Sequence, residues 1–193
     1  MYVPGLFAKF GARGGTALKH RILIVMGSMR PGSRTALVSR LAKMAVEACG
    51  MEVDMLDPRE TALSFPGETD HETHKEAIRK RVGQASGAVF VTPEYDGSIS
   101  AILKLMIEHF GYPSDLSGKP AAIVGCAGGR IGAIKAIEHL RSLLNHTGVF
   151  VMPHAYSIPQ VFKVFDDDDQ CTDDTVTAGI AVVIKQLQDH LDR

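Results

Sequence analysis

Residues 21–35 read RILIVMGSMRPGSRT, and this stretch decides the fold. From Ile22 to Met26 every position is apolar, and the run stops at Gly27. A run this short with no polar alternation is the pattern of a strand buried on both faces, as in a parallel sheet between two helical layers. Turn-forming residues follow, and Ser33 then stands where a helix N-cap is expected. Leu37, Leu41, Met44, Ala45 and Ala48 recur at helical spacing and Gly50 ends the pattern, so a helix is predicted over Arg34–Cys49.

The same alternation continues along the chain. Strands are predicted at Glu52–Leu56, Gly87–Thr92, Lys119–Cys126 and Gly148–Met152. Helices are predicted at His71–Gln84, Ser100–Phe110, Ile134–Asn145 and Asp173–Leu191. Asp57–Asp70 and Pro153–Gln170 read as loops. The helix at 100–110 is apolar around most of its circumference, which predicts burial on more than one side. Five strand–helix alternations predict an α/β fold, a parallel sheet with helices on both faces; unusual loops after the first, third and fourth strands suit a flavodoxin-like three-layer sandwich with a five-stranded parallel sheet in the order 2-1-3-4-5. With no internal repeat or linker, residues 21–193 are expected to form one domain. Residues 1–20, with four glycines, three Lys or Arg and no acid, are expected to form a poorly ordered arm. They lack the apolar stretch of a secretory signal, whereas their lack of acids leaves a transit peptide open.

Composition narrows the function classes. The chain has 193 residues, 45% of them apolar and 22% charged, with a formal net charge of −1. That balance gives no strong field for nucleic acid or an anionic membrane, and no apolar run is long enough to cross a bilayer. Cys49, Cys126 and Cys171 show no paired spacing, so a reducing cytoplasm is expected rather than a disulfide framework. His71 and His74 are three apart and read as a solvated first helical turn, not a metal pair. Asp166–Asp169 reads as a solvated acidic loop.

Ligands of open parallel sheets sit beyond the carboxyl ends of the strands, where the strand order reverses. Three loops converge there. The first, Gly27–Thr35, offers the hydroxyls of Ser28, Ser33 and Thr35 at a helix N-terminus, with Arg30 or Arg34 as a charge-assisted partner for phosphate. It lacks both the lysine-bearing P-loop spacing and the Gly-x-Gly-x-x-Gly dinucleotide spacing; taken alone, it also fits a plain capped helix. The second, Thr92–Ile99, contains Pro93, Glu94, Tyr95, Asp96, Gly97 and Ser98. Tyr95 could cover a flat ring and Gly97 could let backbone N–H groups approach its edge; alone, it also fits a hairpin-like turn. The third, Gly125–Gly132, carries Gly128 and Gly129, which suit either close approach to a ligand or a tight strand-to-helix turn. Cys126 there reads as a small apolar residue at a strand end rather than a redox thiol. Loops after strands one, three and four flank the switch point at which FMN binds in flavodoxin.

At these residues the chain resembles the NADPH-dependent FMN reductases, a family that includes chromate, quinone and azo reductases. Gly27, Ser28, Arg30 and Ser33 match its Gly-Ser-x-Arg-x-x-Ser. Thr92, Pro93, Glu94, Tyr95, Gly97, Ser98, Ile99, Leu103 and Lys104 match its long second motif, and Gly118-Lys119-Pro120 opens the third. The likeness runs from about Arg21 to Phe165. It implies that Ser28, Arg30, Ser33 and Thr35 hold the FMN phosphate. It also implies that Pro93, Glu94, Tyr95, Gly97 and Ser98 line the flavin, with Gly128 and Gly129 on its other side. NADPH or NADH as donor, a small-molecule acceptor (quinone, azo compound, ferric complex or oxygen) and a homodimer or homotetramer complete what it implies. No residue is compelled to act as a general acid.

The departures are Asp96 for the usual Asn, Ser100-Ala101 for Pro-Gly, and Leu105, Glu108 and His109 for Asn, Asp and Trp. A carboxylate at position 96 cannot donate the hydrogen bonds of an amide, so FMN affinity or potential is expected to differ. Arg13, Arg34 and Arg130 are candidates for a donor 2′-phosphate. Two rival functions remain at this level: a flavin-binding electron carrier or redox sensor without turnover, and a phosphoester-binding or scaffolding protein that keeps only the fold.

Overall fold

The computed structural model describes residues 20–193; the arm expected at the N-terminus and Arg13 lie outside the described residues, apart from His20. The strands are β1 (Arg21–Met26), β2 (Glu52–Leu56), β3 (Gly87–Pro93), β4 (Pro120–Cys126), β5 (Phe150–Val151) and β6 (Tyr156–Ile158). The helices are α1 (Arg34–Ala48), α2 (His71–Gln84), α3 (Ala101–Glu108), α4 (Ile134–His146) and α5 (Asp174–Leu191). The sheet is parallel with the order 2-1-3-4-5, as expected.

Burial on both faces is explicit in the packing. In β1, Ile22 and Ile24 face one core while Leu23 and Val25 face the other. β3 repeats this with Val89 and Val91 against Ala88 and Phe90. Successive strand side chains point to opposite faces, so an unbroken apolar run feeds two cores. The first core is closed by α1 and α5, through residues such as Val38, Ala42, Ile180 and Ile184. The second is closed by α2, α3 and α4, through Ile78, Met106 and Leu140.

Three expectations need correction. The 153–170 segment is not a plain loop, because β6 lies within it and pairs in parallel with Val124–Cys126 of β4, beyond the point where β5 pairs with Pro120 and Ala121. The fifth position of the sheet is therefore filled by two short strands. Pro153, in the break between them, has no N–H for the ladder. Arg141 donates to the freed carbonyls of Met152 and Pro153 at 2.9 and 3.2 Å. His71 is not solvated: it is buried, its Nδ1 is 3.1 Å from the Ser64 carbonyl, and its ring meets the buried His109 ring edge-on at 4.9 Å. The predicted helix at 100–110 is shorter, because Ser100 is its N-cap and accepts from Leu103 N–H. Leu103, Leu105, Met106 and Ile107 are buried within this chain, and Lys104 pairs with Glu108 on the outer face.

Candidate functional site

The first loop leaves β1 at its carboxyl end and delivers Ser28 into a nearly closed position, 1% exposed. Three polar groups converge on its hydroxyl: Ser33 Oγ donates to it at 2.9 Å, Tyr95 Oη lies 3.3 Å away, and Arg30 N–H reaches it at 3.4 Å. Ser33 is extended and caps α1 by accepting from Thr35 N–H at 3.2 Å. The first turn of α1 holds no acidic residue, so the positive end of the helix dipole is left for an anion. Ser28, Ser33 and Thr35 are thus brought together as expected.

The two arginines of this loop separate. Arg30 lies over the Tyr95 ring, 4.4 Å from its centroid, a cation–π arrangement that keeps its charge at the cradle. Arg34 points toward the acidic run and pairs with Asp169 at 3.1 Å, and Arg40 approaches the same carboxylate at 3.7 Å. The acidic run is exposed, and Asp169 engages the arginine that sequence reasoning offered to phosphate.

The second loop is a two-residue hairpin. Tyr95 and Ser98 exchange both backbone hydrogen bonds, at 3.0 and 2.9 Å, while Asp96 and Gly97 take φ values of 50° and 72°. Two successive positive φ angles make a type I′ turn, which favours Asn, Asp and Gly. Asp96 therefore preserves the backbone of the Asn it replaces, and its side chain is exposed to solvent. Glu94 turns away from the hairpin tip, and its Oε2 accepts from Ala136 N–H in α4 at 3.1 Å. Ser98 Oγ is 3.0 Å from His139 Nδ1, also on α4.

The third loop is stitched to the segment after β6. Gln160 N–H donates to the Gly129 carbonyl and Val161 N–H to the Ala127 carbonyl, both at 3.0 Å. A side chain on Gly128 would come within 2.8 Å of the Phe162 ring, and Phe162 itself is 68% exposed. Gly132 takes φ 80° and lies against Ser157, whose Oγ accepts from Ala133 N–H at 2.9 Å. Gly129 has open space around it. Cys126 is buried beneath the first loop with its sulfur 3.6 Å from Thr35 Oγ1, and burial pushes its thiol up to about 11. It stays a thiol at neutral pH, as expected of an inert strand-end residue.

Sequence reasoning missed two residues. Ser100 donates to the Gly27 carbonyl at 2.6 Å while capping α3, which ties the first loop to the second; its position before an apolar run was a legible cap signal. Ser157 acts through a strand too short to read. Among the described residues, no cluster of three or more His, Cys, Asp or Glu could hold a metal. No described helix is long and apolar enough to cross a membrane.

A 2-1-3-4-5 parallel sheet with a hydroxyl cradle at the β1 end and a hairpin beside it is the flavodoxin-type arrangement, in which ligands sit beyond the carboxyl ends of the strands at the switch point. Residues 20–163 match the family model described as NADPH-dependent FMN reductase, and the chain belongs to that family. It is 30% identical over 183 residues to an NAD(P)H-dependent FMN reductase of Pseudomonas aeruginosa, covering 87% of this chain and 93% of that one. It is 31% identical over 180 residues to an NAD(P)H:quinone oxidoreductase of Solanum tuberosum, covering 84% and 88%. Among solved structures, the flavoenzyme NAD(P)H:(acceptor) oxidoreductase FerB of Paracoccus denitrificans superposes with a TM-score of 0.73 at 22% identity, covering 89% of this chain and 98% of that one. Membership makes the chain an oxidoreductase that works with FMN and NAD(P)H.

Proposed function

We propose that this chain carries electrons from NADPH or NADH, through FMN held at the three loops, to a small planar acceptor of the quinone class. The observation that carries the reading is the buried Ser28 hydroxyl, on which Ser33, Tyr95 and Arg30 N–H converge at an acid-free helix N-terminus. Those groups fit a phosphate, which accepts several hydrogen bonds and neutralises the helix end. In this reading Ser28, Arg30, Ser33 and Thr35 hold the phosphate. Pro93, Tyr95, Asp96, Gly97 and Ser98 border the flavin on the hairpin side, and Gly128 and Gly129 on the other. Glu94 serves the same wall from behind, and Arg34, engaged by Asp169, stays at the rim.

FMN, when bound, supplies the hydride acceptance and electron transfer that no side chain here can perform. The protein binds, orients and encloses. Ile131, Ile134 and Phe162 are exposed beside the glycine loop, an apolar border that suits a flat acceptor. The potato relative above and a relative in Escherichia coli are both named for quinone reduction. Of the two described candidates for a donor 2′-phosphate, Arg34 is engaged by Asp169, whereas Arg130 has no ion-pair partner among the described residues and is the one we favour. Azo compounds, ferric complexes and oxygen are the other acceptors to assay. A homodimer or homotetramer is the proposed assembly, with light scattering as its test. The cytoplasm is the proposed location, consistent with three unpaired cysteines.

The deciding experiment is an FMN titration of the purified protein, then anaerobic addition of NADPH and NADH in turn, then a quinone. Stoichiometric binding, rapid bleaching and reoxidation by the quinone are expected. Binding without bleaching would favour an electron carrier, and no binding would overturn the reading.

A further inference from the structure

Two N–H groups at the N-terminus of α4 are held by side chains from elsewhere. Its N-cap residue, Ala133, offers no side-chain acceptor, and its first turn contains no acid but does contain Lys135. A cation there opposes the helix dipole. Ser157 satisfies the Ala133 N–H from the β6 side, and Glu94 satisfies the Ala136 N–H from the hairpin side. Glu94 is also fixed at its backbone, because its N–H donates to the Cys126 carbonyl at 3.1 Å. The Lys135 chain lies along the hairpin tip, with Cδ 3.4 Å from where a Gly97 side chain would begin. The hairpin and the start of α4 are therefore joined at three points: Glu94 to Ala136, Ser98 to His139, and Gly97 against Lys135. The glycine loop runs directly into that helix.

We propose that Glu94 is a positioning residue: by capping α4 across the crevice, it fixes the Tyr95–Ser98 hairpin against the helix that carries the Gly128–Gly129 loop, and so sets the gap that receives the flavin. The proposal rests on the FMN reading above. It assigns the carboxylate to the protein's own backbone and not to the ring, unlike the role implied by resemblance. The cap needs an acceptor oxygen at this place and does not need a charge, so a glutamine can supply it.

The test compares Glu94→Ala and Glu94→Gln with the unaltered protein, measuring FMN affinity by flavin fluorescence at 20 °C below each variant's melting midpoint. Amide hydrogen exchange at Ala136 is followed without FMN. For Glu94→Ala, FMN affinity is expected to fall about tenfold, in line with the loss of a helix cap, and Ala136 exchange to speed up. Glu94→Gln is expected to restore both to within about threefold. Two outcomes would overturn the proposal. In one, Glu94→Ala keeps its FMN affinity and loses only thermal stability, which is a purely structural role. In the other, Glu94→Gln protects Ala136 yet loses as much affinity as Glu94→Ala, which places the charge on the flavin. If the unaltered protein binds no FMN, the functional reading fails instead.

Discussion

At the start of α1, the cap is the helix's own Ser33, the first turn has no acid, and the hydroxyls around it bond to one another. At the start of α4, on the same edge of the sheet, Ala133 has no side-chain cap, and its own N–H and that of Ala136 are taken by Ser157 and by the carboxylate of Glu94. A helix end that already holds a carboxylate has little attraction left for a phosphate. The contrast supports α1 as the helix end proposed to receive the anion. Two glycine-containing loops lead into two helices, yet only the start of α4 receives a carboxylate, that of Glu94, which fastens it to the hairpin.

The substitution that would most sharply break this contrast is Ser33→Asp. Aspartate is as good an N-cap as serine, so the melting midpoint should move by only a few degrees. A carboxylate inside the cradle repels phosphate, and FMN affinity should fall by about 100-fold or more. Retained affinity in a fluorescence titration would mean that the phosphate lies elsewhere. Next in size is a titration beneath α1. Folding raises the Cys126 thiol from about 9 to about 11, so between those values the unfolded chain has lost a proton that the folded chain keeps. Stability is whole below about pH 9 and falls as pH rises, by on the order of 2–3 kcal/mol. Urea melts should show a steeper fall in the unaltered protein than in Cys126→Ala, in which Cys49 and Tyr156, also raised by burial, keep part of the slope; parallel curves would contradict it.

A smaller effect is expected at α4. Ser157→Ala removes the cap at Ala133 and should cost about 1 kcal/mol in denaturant melts. Its change in FMN affinity should be less than that of Glu94→Ala, since Ser157 does not touch the hairpin. Smallest of all is Arg34→Ala. Its pair with Asp169 is exposed, so stability should move by less than about 0.5 kcal/mol, and FMN affinity should barely change. A large loss of affinity would show that Arg34 leaves Asp169 for the phosphate.

The strands and the three loops were legible because burial on both faces leaves a mark in composition. Ile22–Met26 and Ala88–Val91 have no polar position at all, their alternation with helices gives a parallel sheet covered on both faces, and the order 2-1-3-4-5 shows in which strands the unusual loops follow. The cradle was legible for a different reason: Ser28, Ser33 and Thr35 are neighbours along the chain. What was hidden depends on distant partners. Tyr156–Ile158 is too short for a period and becomes a strand only because β4 offers an unpaired edge beyond β5. Glu94 was correctly placed in the second loop, but nothing near it in sequence announces that its oxygen will meet an amide 42 positions later. His71 looked solvated because its neighbours Glu72 and Lys75 are exposed or partly so, while the ring covering it, His109, comes from the C-cap of α3.

The interrupted fifth strand has a consequence for how the molecule behaves in a concentrated solution. A sheet's outer strand is a template on which a foreign strand can grow, and long flat edges invite aggregation. Here that template is cut into pieces of two and three residues. Arg141 occupies the carbonyls at the cut, and the exposed Phe150 of the first piece is stacked by His190 at 4.9 Å. An incoming chain finds no continuous row of hydrogen-bonding groups to copy, so this margin of the sheet is protected against edge-to-edge growth without a covering helix.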